Sequence, residues 1–536
     1  MSALPPVVPT MPLDYAAGSP ERQRFRESVT DLASARIEVP CRIGGQPVLT
    51  GVLDRARSPH DHGATLADVH QAGPAEMEAA IKSALAVAPE WSRLTWQERA
   101  EPFLKAADML QHGPWRDRLN AATSLELSKT TYQADIDAAC ETVDFFRMNV
   151  KTMLDAYAVQ PDSLPGTWNS MDYRPLEGFV LAVSPFNFTC MANLAAAPAT
   201  VGNVVVWKPA ERASLVAHLV MDLLTEAGLP PGVINVVYGD GAQLAPAALA
   251  HPDLAGVHFT GSTATFKSIW RSVADNLDSY RNYPRIVGET GGKDFILAHP
   301  SADVEALAVA CVRGAFEFQG QKCSAPSRLF APQSLWPALS ERLRDLAGQV
   351  VTGDPTQPET FVGAVIDEAS FRRLEAALAK ARSTGEVLVG GTCDSSVGWF
   401  VQPTIVRVDD PESRLLRDEL FGPVLTCYVY DDDQWDAVLG QVDRGSPYGL
   451  TGAVFAQDRA AAAQAMDALR YTAGNFYVND KPTGSVVGLQ PFGGARASGT
   501  NDKAGTVWNT IRWMSPRAVK EQHLPPTSWR YPHLEP

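Results

Sequence analysis

From residue 178 onward the chain alternates between short apolar runs and helix-period segments, and no other feature restricts its fold as much. The runs Phe179–Val183, Val204–Trp207, Val233–Val237 and Val257–Phe259 are separated by stretches such as Ser214–Ala227. Alternation of this kind predicts parallel strands with helices covering both faces of the sheet, an α/β architecture. A second series begins near Ile286, runs to about Phe455, and includes a long amphipathic helix over Glu368–Arg382. With 536 residues the chain is long enough for two large domains, each with its own core.

Upstream, Pro20 to about Tyr157 reads as mostly helical. Pro74-Ala-Glu-Met-Glu starts one helix with proline in the first turn and acid near the positive end. Thr95–Leu110 and Ala134–Ala156 read as two more. Five prolines in the first twenty residues predict an extended arm. A Pro-, Gly- and Asp-rich stretch, Gln160–Trp168, followed by Asn169–Arg174, predicts a protruding hairpin. The C-terminal arm from about Thr506 holds a strand candidate, Asn509–Met514, and a proline-rich tail.

Composition excludes some classes of function. The net charge of −15 leaves no basic excess to neutralise phosphates, which argues against a nucleic-acid partner. Seven cysteines, odd in number, scattered and never in a CxxC pair, argue against a disulfide framework or a zinc site and fit a reducing compartment. The first residues show no basic region followed by an apolar core, and no run approaches the roughly 18 apolar residues that span a bilayer. The cytosol is the expected setting.

The chemistry is expected at Phe316–Arg328 (FEFQGQKCSAPSR). Ser301 reads as an N-cap, and Val304, Leu307, Ala308, Cys311 and Ala315 fall on one helical face. Cys311 lies in that apolar stripe and reads as core. Cys323 comes after the pattern breaks, in a polar setting beside Lys322, where a cation favours the thiolate. A lone loop cysteine is more often inert than catalytic, so other residues must support it. Val206-Trp207-Lys208-Pro209-Ala210-Glu211 places a cation and a carboxylate at one strand end, although such a pair is more often a solvated surface pair. Phe259-Thr-Gly-Ser262 places a glycine turn and a hydroxyl ahead of a helix, the arrangement that receives a pyrophosphate. The dinucleotide glycine fingerprint is incomplete: Gly239-Asp-Gly241 lacks its third glycine.

Together these pieces resemble the aldehyde dehydrogenase superfamily over nearly the whole chain. The matching motifs are Pro185-Phe-Asn-Phe188, Gly202-Asn-Val-Val-Val-Trp-Lys-Pro209, Phe259-Thr-Gly-Ser262, Gly288-Glu-Thr-Gly-Gly-Lys293, Gly320-Gln-Lys-Cys-Ser324, Glu419-Leu-Phe-Gly-Pro423 and Pro491-Phe-Gly-Gly494, in the family's order. The resemblance implies an aldehyde dehydrogenase-like fold with five parts. Residues 1–158 form an arm and the helical part of a NAD-binding domain, and 159–176 an oligomerisation hairpin. A Rossmann-like core at 177–286, a catalytic domain at 287–500 and a C-terminal arm at 501–536 complete it. It also implies that Cys323 is the nucleophile, Asn187 an oxyanion donor and Glu289 the general base for thioester hydrolysis. For NAD it implies contacts from Ser184, from Lys208 and Glu211 at the adenosine ribose, and from Gly261 and Ser262 at the pyrophosphate. Glu419 would hold the nicotinamide ribose and Phe421 pack near the ring. A carboxylate at Glu211 repels a 2′-phosphate, favouring NAD over NADP. One departure stands out: many members carry a lysine nine residues after the asparagine, and here that position is Ala196.

Within the superfamily the likeness is greatest to the branch that oxidises L-glutamate γ-semialdehyde. It rests on Phe316–Ala325, Thr483-Gly-Ser-Val-Val-Gly488 and Pro491–Lys503. A substrate carboxylate needs a small anion-binding loop, which Gly484 and Ser485 can provide. Ser324 adds a hydroxyl, and Phe188 and Phe492 flank a short methylene chain. The expected product is L-glutamate, in proline catabolism, from a homodimer or larger homo-oligomer. Rival readings are another carboxylate-bearing semialdehyde as substrate, and a non-catalytic structural relative.

Overall fold

The computed structural model describes residues 7–534, so 1–6 and 535–536, in the expected arm and tail, lie outside the described residues. The stretch read as mostly helical contains five short strands: β1 (Ile37–Val39), β2 (Cys41–Ile43), β3 (Gln46–Val48), β4 (Leu53–Ser58) and β5 (Asp61–His70). Their polar, irregular alternation hides them; β5 reads DHGATLADVH and buries only its second half. The helices Pro74–Trp91 and Trp96–His112 form as expected, the second opened by a capping box in which Thr95 and Glu98 satisfy each other's amides. The third is interrupted: Thr131–Ala134 and Thr142–Tyr157 are joined by a π-helical turn, Asp135–Glu141.

The expected hairpin is not local. β6 (Thr167–Pro175) pairs antiparallel along its whole length with a strand from the far end of the chain, Met514–Gln522. The strand candidate at Asn509–Met514 is helical up to Trp513, and the strand begins where that segment was expected to end. Trp513 is fully buried against His258, which anchors the point where the arm departs.

Next come β7 (Phe179–Ser184), β8 (Val204–Pro209), β9 (Ile234–Val236), β10 (Leu254–Thr260) and β11 (Arg285–Glu289). They form a parallel sheet in the order β11-β10-β7-β8-β9, extended by β2 and β3. Every residue of β8 is buried, which requires cover on both faces and explains its unbroken apolar sequence. The second sheet starts one strand later than expected, because β11 belongs to the first. It comprises β12 (Asp294–Ala298), β13 (Pro326–Pro332), β14 (Glu386–Val389), β15 (Thr404–Val408), β16 (Val424–Tyr430), β17 (Thr451–Phe455) and β18 (Asn475–Val478), in the order β14-β15-β16-β13-β12-β17-β18. The helix before the reactive stretch is Val304–Phe316, with Cys311 buried. Its N-cap is Asp303, whose carboxylate accepts from Ala306 N; Ser301 is engaged instead with Gln457 and Asp458. No described helix is long and apolar enough to cross a membrane.

One buried ion pair ties the N-terminal arm to the helices. Arg116 grips Asp135 through two bonds of 2.7 Å, and Asp135 also accepts from Leu13 N (2.8 Å), Tyr15 OH (2.9 Å) and Asn120 Nδ2 (2.7 Å). Neither charge reaches solvent appreciably. Removing one partner of such a pair strands the other, at about 3–5 kcal/mol. Arg116→Met is therefore expected to lower unfolding free energy by about that amount in a denaturant titration, and a loss under about 1 kcal/mol, the range of an exposed pair, would show that the pair does not anchor the arm.

Candidate active site

The parallel register places the expected cofactor residues in one row. Val183 lies beside both Lys208 and Phe259, Ser184 beside Pro209, and Thr260 beside Glu289. The carboxyl ends of β7, β8, β10 and β11 thus share one edge, where ligands of open α/β sheets bind. Along it the side chains differ in how they are engaged. The Ser184 hydroxyl accepts from Trp207 Nε1 at 2.9 Å. Lys208 is nearly buried, its Nζ 3.9 Å from Glu211 Oε1, and burial lowers its pKa while Glu211 and Asp240 oppose that shift. Glu211 is exposed. Ser262 caps the helix Thr263–Asp275 by accepting from Thr265 N, and Gly261 N donates to Glu289 O. The remaining amides of that helix start face the edge without intrahelical partners. A loosely paired cation, an exposed carboxylate and an open helix N-terminus on one edge suit the ribose and pyrophosphate of a dinucleotide.

The second sheet meets that edge with its amino ends. Gly291–Gly292 precede β12, Cys323 and Ser324 precede β13, and Glu419–Phe421 precede β16. The crossing from β11 to β12 is only four residues long, so Glu289 and Cys323 are brought together by adjoining loops. Glu419 Oε1 accepts from Gly292 N at 2.9 Å, and Phe421, in a left-handed conformation (φ 53°), meets Phe186 edge-on. Asn187, almost fully buried, donates from Nδ2 to Gln321 O at 3.1 Å, two residues before Cys323. Asn187 Nδ2 makes no other hydrogen bond among the described residues, and Asn187 is not among the residues that line the cavity holding Cys323.

A single cavity of about 390 Å³ is lined by Cys323, Glu289, Phe188, Ser324, Gly484, Ser485 and Phe492. Ser324 Oγ is 2.8 Å from Thr483 Oγ1, and Gly484 is left-handed (φ 85°), which turns the backbone of the 483–488 loop. The same cavity is lined by residues that the sequence did not single out: Pro9, Thr10, Met11 and Pro12 of the arm, Asp137 and Glu141 of the π-helical turn, and Lys481. Thr10 reaches its place by donating through its amide and hydroxyl to Asp144. No local pattern betrays these contacts, which span more than a hundred residues.

Electrostatics correct one expectation. Lys322 does not stabilise a Cys323 thiolate, because its Nζ turns to Glu317 at 3.1 Å. Burial pushes the Cys323 thiol well up, and Asp294, Glu289 and Glu419 add to the shift. Burial also raises Glu289 well above the usual carboxylate range, only partly opposed by the Gly494 amide and Lys503, and raises Asp294 to about 8. Carboxyls displaced in this direction toward their neutral forms repel the sulfur less than their number suggests. All seven cysteines are free.

Comparison with known proteins agrees with this geometry. The aldehyde dehydrogenase family model matches residues 55–519. The chain is 48% identical over 527 residues to delta-1-pyrroline-5-carboxylate dehydrogenase, mitochondrial, of Bos taurus, covering 98% of this chain and 93% of that protein. The human counterpart is 47% identical over 527 residues. Among solved structures, the Mycobacterium tuberculosis delta-pyrroline-5-carboxylate dehydrogenase bound with NAD superposes with a TM-score of 0.96 at 48% identity, covering 100% of both chains. The NAD-bound Thermus enzyme superposes at 0.89 with 30% identity, covering 97% of this chain and 100% of that one. With these matches and the two-sheet architecture that carries them, the chain belongs to the aldehyde dehydrogenase family.

Proposed function

We propose that this chain oxidises L-glutamate γ-semialdehyde, the open form of pyrroline-5-carboxylate, to L-glutamate with NAD and water, in proline catabolism. The observation that carries this reading is the single cavity in which Cys323 and Glu289 share walls with Ser324, Gly484 and Ser485. A nucleophile and a base meet there with a turn of backbone amides and hydroxyls suited to a carboxylate. The relatives' names support the same substrate.

The Cys323 thiol gives up its proton to water, the sulfur adds to the carbonyl carbon, and the π pair moves to oxygen. The free Asn187 Nδ2–H and the Cys323 amide receive that oxyanion, a contribution of about 2.7–4 kcal/mol per donor. NAD bound along the edge of the first sheet would supply the acceptor for the hydride on that carbon. Lys208, Glu211, Gly261, Ser262 and Glu419 are the residues proposed to hold it, with Ser184 and Phe421 beside them. Cys323 is left as a thioester. Glu289 then removes a proton from water, the water oxygen attacks the acyl carbon, and the C–S bond breaks. The thiol is restored and glutamate leaves; water supplies the second carboxylate oxygen, and protons are released. A carboxyl at Glu289 favours hydrolysis over transfer to a second thiol. Phe188 and Phe492 flank the methylene chain, and the Ser324 and Ser485 hydroxyls and the Gly484 amide hold the α-carboxylate.

We also propose self-association through the β6 ribbon, whose exposed Trp168 and Val519 and open strand edges suit pairing with a second copy. The cytosol is the proposed setting, supported by seven unpaired thiols, a pattern that any reducing compartment permits.

The first test is NADH formation from pyrroline-5-carboxylate by the purified protein. Cys323→Ala is expected to lower kcat about a thousandfold or more while NAD binding persists; turnover retained by this variant removes the nucleophile assignment. Ser485→Ala is expected to raise KM for the semialdehyde about tenfold, the worth of one hydrogen bond to a charged group, and to leave KM for propanal unchanged. Equal changes in both would remove the carboxylate anchor, and equal kcat/KM for succinate semialdehyde would favour a different carboxylate-bearing substrate. Because Glu289 must be ionised to act as a base and its pKa is raised, kcat should still climb with pH above about 6, where an ordinary glutamate has finished titrating. A flat profile there contradicts the role given to Glu289.

A further inference from the structure

The loops bearing Asn187 and Cys323 come from different sheets, and a buried charge pair outside both joins them. Lys129 follows Ser128, the left-handed C-cap (φ 57°) of the helix Trp115–Leu127. Its side chain is 1% exposed, and its Nζ is 2.7 Å from Asp137 Oδ2. The same ammonium lies 4.1 Å from the Phe188 ring centroid and 4.3 Å from that of Phe318. Phe188 is the neighbour of Asn187. Phe318 opens a run of three left-handed residues, Phe318, Gln319 and Gly320 (φ 51°, 55° and 64°), which leads into Cys323. One cation thus faces a ring from each loop, and such contacts are worth about 2 kcal/mol when desolvated.

Asp137 completes the link from the opposite side. Its Oδ2 also accepts from Thr189 N at 2.9 Å, and its Oδ1 accepts from Cys190 N at 3.0 Å. The carboxylate therefore holds the backbone immediately after Asn187-Phe188. Ser128 O accepts from Gln319 Nε2 at 2.9 Å, so the same corner grips the nucleophile loop. Asp135 and Asp137, two residues apart, point to opposite sides of the π-helical turn, so that Asp135 meets Arg116 and Asp137 meets Lys129. A buried ion pair contributes little net stability compared with apolar side chains of the same volume, because desolvation cancels much of the attraction. What it fixes here is relative position. The ligand atoms of Asp137, Glu141 and Cys190 lie within metal-binding distance of one another, but Asp137 already accepts three hydrogen bonds and Cys190 Sγ donates to Glu141, so charge pairing explains the cluster.

We propose that Lys129 and Asp137 are positioning residues that hold the Asn187 amide in register with Cys323, acting through Asn187. This rests on the reaction proposed above. Lys129 does not line the cavity, although Asp137 and Phe188 do, and an oxyanion donor acts in the transition state, so its loss should lower kcat more than it raises KM.

The test is a double-mutant cycle on the full-length enzyme, using whichever aldehyde the wild type oxidises. Asn187→Ala should lower kcat about 100-fold, the loss typical of an oxyanion donor. Lys129→Met alone should lower kcat about tenfold or more, with KM and the NAD Kd within about threefold and with recovery to within about threefold of wild type in Lys129→Arg. Added to Asn187→Ala, Lys129→Met should cost no more than about threefold further, because coupled residues are not additive. If Lys129→Met does not fold, Lys129→Met/Asp137→Asn removes both charges together and is placed in the same cycle. A folded variant with kcat within about twofold of wild type, or a loss that multiplies fully with that of Asn187→Ala, overturns the proposal. Wild-type protein that oxidises no aldehyde overturns the proposed function instead.

Discussion

Two sheets can share one reaction centre only if their loops approach to backbone contact, and glycine is what permits it here. A Cβ on Gly292 would stand 2.2 Å from the Cys323 carbonyl oxygen, and one on Gly291 would stand 2.1 Å from Glu419 Oε2. At Gly292 the obstacle is backbone and no side chain fits, while a side chain at Gly291 would displace the Glu419 carboxylate. The four-residue crossing from β11 to β12 therefore lies directly on the nucleophile loop, with Glu289 at one end and Asp294 at the other. The carboxyl edge of the first sheet and the amino edge of the second are held face to face across it. The row of expected cofactor residues and the cavity that contains Cys323 adjoin for this reason.

That closeness determines the electrostatics. Three carboxyl groups, Asp294, Glu289 and Glu419, act on one sulfur in a setting with little water, and burial drives all three and the thiol toward their neutral forms. A thiol held in its neutral form is less readily oxidised than a thiolate. Lys322, the neighbouring cation, is committed to Glu317. Bound positive charge near the sulfur would favour the thiolate by Coulomb attraction, which couples reactivity to occupancy of the adjoining edge.

Much of the centre was legible because it is written locally. β8 shows itself through an unbroken apolar run, and Cys323 differs from Cys311 because Cys323 follows the break in a helical stripe and Cys311 lies in it. What escaped was non-local or disguised. β6 finds its partner more than three hundred residues away, so a local reading produced a hairpin. Asp135 and Asp137 look like surface acids, yet each is buried against a cation on another segment. Pro9–Pro12 look like a solvated arm but line the cavity because Asp144 holds Thr10 within them and Asp135 holds Leu13 just after them. Lys322 misled for the opposite reason: its proximity in sequence suggested a role that its partner at Glu317 takes away.

The central claim is that one sulfur forms the bond to the substrate carbon. Acid-quenching the wild-type enzyme during turnover with semialdehyde and NAD, then mapping its peptides by mass, addresses this directly. The structure predicts an acyl adduct on the peptide containing Cys323. An adduct carried by another residue, or an unmodified Cys323 alongside a stoichiometric burst of NADH, would contradict it.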